Sequence, residues 1–99
     1  MKTTKVVIHR DYGLYQVPEE VEVALRERGV EEPVGGYYQL PRHHPVLVEE
    51  VDRYLALAAA TALVIYEIYG TKYHINEYDG LESIVTPETF IWIDADAHT

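Results

Sequence analysis

Residues 63–85 read LVIYEIYGTKYHINEYDGLESIV, and the fold turns on how this stretch divides. Leu63, Val64, Ile65, Tyr66, Glu67, Ile68 and Tyr69 are too β-branched and aromatic to prolong a helix, and Gly70 ends the run, so a central strand is expected here. Asp79-Gly80 follows as a type I′ turn signal, because both central residues of that turn need positive φ. A two-residue loop sets the register: Tyr78 opposite Leu81, Glu77 opposite Glu82, Asn76 opposite Ser83 and Ile75 opposite Ile84. Ile75 and Ile84 are the expected core contact of this hairpin. Glu77 and Glu82 are its anomaly, since like charges directly opposite each other destabilise a strand pair. Three arrangements would relieve them. The tip extends into solvent and the carboxylates splay; a basic side chain such as Arg10, Arg42 or Lys72 sits between them; or the pair holds a cation or a basic patch on a partner.

Working outward, residues 5–9 form a short β-prone segment with three adjacent β-branched side chains, broken by Arg10-Asp11-Tyr12-Gly13. Residues 14–17 are expected to be extended and to pair back on that strand. Pro18 opens a helix, with Glu19, Glu20 and Glu22 at its positive end and Arg26 and Arg28 at its negative end. Val21, Ala24 and Leu25 give it one apolar stripe, Glu22 and Arg26 an i,i+4 pair, and Gly29 a C-terminal cap. Residues 30–44 hold Pro33, Gly35, Gly36 and Pro41 and read as a loop. Pro45 opens a second helix whose buried face runs through Leu47, Val48, Val51, Tyr54, Leu55 and Ala58, and which fades within residues 56–60. Residues 89–93 are a last β-prone run before a polar tail at residues 94–99. The sum is a single α+β domain over residues 1–99. Two helices pack on one face of a small, mostly antiparallel sheet of about four strands, whose second face is open.

Composition narrows the function. The 99 residues carry 17 acidic and 8 basic side chains, a net charge of −9, which disfavours nonspecific nucleic-acid binding. The acidity is uneven: residues 1–44 hold 6 basic and 7 acidic side chains, residues 45–99 hold 2 and 10. No cysteine is present, which excludes a disulfide framework, a zinc ribbon and a thiol nucleophile. The longest mainly apolar run, residues 54–66, is too short to span a bilayer, and no secretory apolar region follows the N-terminus; a cytoplasmic protein without a membrane partner is expected.

No catalytic residues, metal ligands or cofactor are expected. His43-His44 lacks the wider spacing of a ligand pair, His74 and Glu77 point to opposite faces of a strand, and the lone serine, Ser83, lies on a strand rather than in a nucleophile elbow. Nine tyrosines suit both core filling and contact surfaces. The expected function is non-catalytic binding of a protein with a basic surface, through Tyr37, Tyr38, Glu49, Glu50, Asp52, Glu77, Tyr78, Asp79 and Glu82. An open, tyrosine-rich sheet face also suits a homodimer. The alternatives are a small-ligand or divalent-cation binder at the hairpin, using Glu77, Asp79, Glu82 and His74, and a virion or assembly component.

Four motifs in order carry a family likeness: Tyr12-Gly13, Glu27-Arg28-Gly29, Pro45-Val46-Leu47-Val48-Glu49-Glu50-Val51, and Asn76-Glu77-Tyr78-Asp79-Gly80-Leu81-Glu82-Ser83-Ile84. Over roughly residues 5–85 the chain resembles a group of small uncharacterised proteins, many encoded by bacteriophages and prophages. It departs from their pattern at Gln16-Val17, where they carry Ser or Thr, at His44, where they often carry an acid, and in an alanine-rich segment replacing a Gly before the central strand. The resemblance implies a fold and a viral setting, and no catalytic residues.

Overall fold

The computed structural model describes residues 2–11, 13–58 and 61–87 of the chain. Its elements are β1 (Thr3–His9), α1 (Glu19–Glu27), α2 (Pro45–Leu57), β2 (Leu63–Tyr69), β3 (His74–Tyr78) and β4 (Leu81–Val85), with one 3-10 turn at Tyr37–Gln39. Among the described residues the architecture is α+β, with two helices and four antiparallel strands.

The strands do not make one continuous sheet. Among the described residues β1 pairs with β2 and β3 with β4, and one backbone bridge, Arg10↔Leu81, joins the two ribbons. Leu63–Tyr69 is therefore paired on one side only among the described residues, not central. Its apolar composition reports two partly covered faces rather than two paired edges. Residues 14–17 form no strand and do not pair back on β1. The β-prone run at residues 89–93 and the tail lie outside the described residues.

Alternation along β1 and β2 separates two faces. Val7 pairs with Ile65 and His9 with Leu63, and Val7, Leu63 and Ile65 belong to the helix-side core. That core gathers Val17, Val21 and Leu25 around α1 and Leu47, Val48 and Val51 of α2. α2 lies against both strands, and α1 packs beside it on α2. On the opposite face, Ser83, Ile84 and Thr86 line a cavity of about 370 Å³ together with Arg10, Tyr66 and Ile68. The second face is thus partly covered by the hairpin. Ile75 and Ile84 are only half-buried and lie outside the main core, because the β3–β4 ribbon is a separate sheet that does not share the helix-packed face.

The helix ends follow the local chemistry. α1 starts one residue after Pro18, whose carbonyl accepts from Val21 and Glu22 N–H. It stops in a Schellman motif: Val30 N–H donates to Leu25 O, Gly29 N–H donates to Arg26 O, and Gly29 has φ +79°. α2 has Pro45 at its first position, and the His44 side chain caps it: Nδ1 accepts from Val46 N–H at 3.2 Å. The helix ends at Leu57.

Tyr37 departs from what its loop suggests. It sits in the breaker-rich segment, yet it is only 1% exposed, its hydroxyl donates to Val30 O at 2.7 Å, and Arg26 lies over its ring. The backbone turn at Tyr37–Gln39 directs it under α1, while Tyr38 remains half exposed. Tyr37→Phe should therefore lower stability by about 1 kcal/mol, the net value of one hydrogen bond. Tyr38→Phe should change it by less than about 0.5 kcal/mol, as at an ordinary surface position. Urea unfolding of the two variants checks both expectations.

Candidate functional site

The hairpin closes as the turn chemistry demands. Asp79 has φ +51° and Gly80 φ +88°, the two positive values of a type I′ turn, and all four expected pairs are present. Glu77 and Glu82 are directly opposed, and they separate by taking different partners. Glu77 Oε1 accepts from Gly80 N–H at 2.9 Å, closing on its own turn. Glu82 turns inward and is only 6% exposed.

Arg42 meets it there with two parallel bonds, Nη1 to Oε1 at 2.6 Å and Nη2 to Oε2 at 2.9 Å. His9 N–H adds a third bond to Oε1 at 2.7 Å. Burial alone would push the Glu82 carboxyl up. The Arg42 bonds, the His9 N–H and the Arg42 charge together outweigh it and hold the group below the usual glutamate value of 4.5. Two of the three arrangements combine: the carboxylates splay apart, Glu77 on the exposed side, and Arg42 takes Glu82 without standing between the two.

The same arginine organises its surroundings. Its guanidinium stacks on Tyr15, 3.5 Å from the ring centroid, and Nη1 also donates to Val7 O at 3.3 Å. Its carbonyl accepts from Val7 N–H at 2.9 Å. The Tyr15 hydroxyl is buried without a hydrogen-bond partner among the described residues, and burial pushes its pKa up, with the Arg42 charge opposing and Glu82 assisting.

The turn itself is docked. Gly13 N–H donates to Asp79 O at 2.9 Å, and His9 Nδ1–H donates to Gly80 O at 2.8 Å. Gly80 lies so close to Gly13 that a Cβ there would stand 1.4 Å from the Gly13 carbonyl oxygen. The hairpin thus presents one side to the protein and the other to solvent, where Glu77, Tyr78 and Asp79 are exposed.

The remaining expected contact residues divide by burial. Glu49 is exposed but accepts from Arg28 at 2.8 Å. Glu50 is buried, held by Arg28 at 3.1 Å and Arg53 at 3.3 Å. Asp52 and Tyr38 are exposed. Tyr37, Glu50 and Glu82 are therefore interior residues in place of the contact surface expected of them: each is held by a partner supplied by a distant or neighbouring segment. The expected Glu22–Arg26 pair gives way to an Arg26–Glu32 contact at 3.9 Å. Tyr78, Asp79 and Glu77 remain together at the tip.

Chemically the cluster is a fastener. Arg42 occupies both Glu82 oxygens, which leaves Glu77 and Asp79 as the hairpin's outward carboxylates, whereas hard cations take about six oxygen ligands. Among the described residues no three His, Asp or Glu side chains converge on a metal position. His74 is exposed on β3, and His43 shares a 2.7 Å hydrogen bond with Tyr73. A larger cavity of about 740 Å³ opens between α1 and α2, lined by Val21, Ala24, Tyr54 and Leu57 with Glu50 and Arg53 at its polar side; no hairpin residue reaches it.

A glutamate held below its unfolded value stabilises the fold above that unfolded value, and the contribution disappears as pH falls through the folded value. Glu82→Gln should thus be less stable than wild type at neutral pH, by up to about 3–5 kcal/mol where it leaves Arg42 uncompensated. The gap should close as pH falls below 4.5, as read from urea unfolding across a pH series. Gly70 and Gly80 both have positive φ, but a Cβ at Gly70 meets nothing within 4 Å. Gly70→Ala should cost about 1–2 kcal/mol, the left-handed penalty alone. Gly80→Ala should cost clearly more in thermal unfolding. The Gly13 amide signal, which reports the bond to Asp79 O, should shift in Gly80→Ala and stay in place in Gly70→Ala.

Set against known proteins, the chain matches no family model, no curated protein and no solved structure.

Proposed function

We propose that the chain is a non-catalytic binding module of phage or mobile-element type, which engages a protein with a basic surface through Glu77, Tyr78 and Asp79. The observation that carries this reading is a hairpin tip with exposed side chains and a held backbone. Tyr78 is 72% exposed, while the carbonyls of Asp79 and Gly80 are bonded to Gly13 and His9 behind it. A tip already fixed in one conformation loses little freedom when it docks. Tyr78 offers a large apolar area ending in a hydroxyl, the side chain favoured at interface centres. The flanking carboxylates supply steering toward positive charge and little competing affinity for other acidic surfaces. Asp52 and Tyr38, exposed elsewhere on the chain, are not needed by this reading.

Capture from a bacterial lysate with immobilised wild type and with a Tyr78→Ala/Asp79→Asn variant tests the proposal. Asn keeps the left-handed turn residue, so the hairpin is preserved. Basic proteins retained by wild type, released by salt and absent with the variant are the expected result. Identical captures with both chains, or retention indifferent to salt, would overturn it.

A further inference from the structure

We propose that β2 is the seam of a two-fold homodimer, in which the strand of one copy pairs antiparallel with the same strand of a second copy. The ladder between β1 and β2 continues at both ends, through Arg10 N–H to Ala62 O and Gly70 N–H to Lys2 O. Since backbone groups alternate along a strand, this phase turns the N–H and C=O of Ile65, Glu67 and Tyr69 away from β1. No hydrogen bond to them is made among the described residues. The outer edge of β1 is taken at its C-terminal half by contrast: Val7 is bonded at both its N–H and C=O by Arg42, and His9 N–H by Glu82.

Among the described residues the β2 edge has little of the usual protection, Glu67 being its one charge. β2 runs seven residues in unbroken register, with no proline, lysine or bulge. Its pattern is self-complementary in one phase. Centred on Tyr66, the pairing sets Ile65 of each copy opposite Glu67 of the other, and Leu63 opposite Tyr69. Every outward-facing position of the strand then has a counterpart, Leu63 through its carbonyl since its N–H donates to Thr61 Oγ1, and the exposed Tyr66 side chains meet at the axis. Centring on Glu67 would place two carboxylates face to face, which a strand pair disfavours. Centring on Ile65 would leave Tyr69 without a counterpart.

Charge supports a second copy here rather than a charged partner. Glu67, the one charge on β2, is paired across the ladder with Lys5, so the seam is locally balanced. The net charge of −9 lies mostly elsewhere and repels a second copy at long range. Added salt therefore strengthens the dimer, opposite to the salt response of the acidic tip, and the tip residues take no part in the seam. Failure of either proposal leaves the other standing.

Sedimentation equilibrium of the full chain over a concentration series is the test, with Glu67→Pro as the variant. The Glu67 N–H points away from β1, so proline removes a seam donor without breaking a ladder bond. Wild type should reach twice the 11.4 kDa chain mass, more readily at higher salt, and Glu67→Pro should stay at one chain mass. Amide exchange supplies a readout that needs no variant: protection of Ile65, Glu67 and Tyr69 in wild type should rise with protein concentration. A single-chain mass throughout, a dimeric Glu67→Pro, or protection independent of concentration (the edge held within one chain) would each overturn the proposal.

Discussion

Two parallel hydrogen bonds between Arg42 and Glu82 tie together three segments far apart in the chain. The arginine comes from the loop before α2, the carboxylate from the hairpin, and both reach the outer edge of β1 at Val7 and His9. One ion pair thereby separates two opposed glutamates, satisfies backbone groups that a third strand would otherwise take, and positions the turn against Gly13. An ion pair drawn from water costs several kcal/mol in lost hydration, and its attraction repays that only when geometry and remaining hydrogen bonds are good. Here they are: the fork is two-pronged, His9 adds a donor, and Tyr15 covers the guanidinium. The pair acts as a specific fastener, and its value lies in deciding where the hairpin goes.

The same logic redistributes the acidity of the chain. Composition alone puts ten acids in residues 45–99 against two bases. Glu49, Glu50 and Glu82 are matched by Arg28, Arg53 and Arg42, two of which come from the first half. The charge asymmetry of the sequence is thus partly an assembly code, in which bases of one half meet acids of the other. What remains outward at the hairpin is a small acidic group around Tyr78.

How much of this was legible depended on how far apart the interacting residues lie. The hairpin register and both positive φ values were readable from Asp79-Gly80, because a two-residue loop leaves no freedom. The stop of α1 at Gly29 was readable for the same local reason. Tyr37 was not, because a loop rich in Gly and Pro signals exposure, and only the turn at Tyr37–Gln39 sends that ring inward. Arg42 stood among three candidate bases for the glutamate pair, and nothing in its local sequence distinguishes it from Arg10, which instead donates to Tyr66. Burial of Glu50 and Glu82 was illegible because a carboxylate in a helix or strand reads as solvent-facing until its counter-ion is known. β2 looked central because side-chain composition reports covered faces and is silent on which backbone edges are paired.

The order of elements bears on how the chain folds. β1 finds its ladder partner β2 only from Leu63 onward, and the carboxylate bonded to His9 N–H on its other edge is 73 residues away. The helices can form from local contacts, but β1 stays without its ladder partner until Leu63–Tyr69 is in place. Pairings this distant in sequence must meet the entropy of loop closure before they gain anything, which slows the final step. β1 therefore joins the fold late, and until it does its apolar Val6, Val7 and Ile8 lack the cover they have in the folded chain.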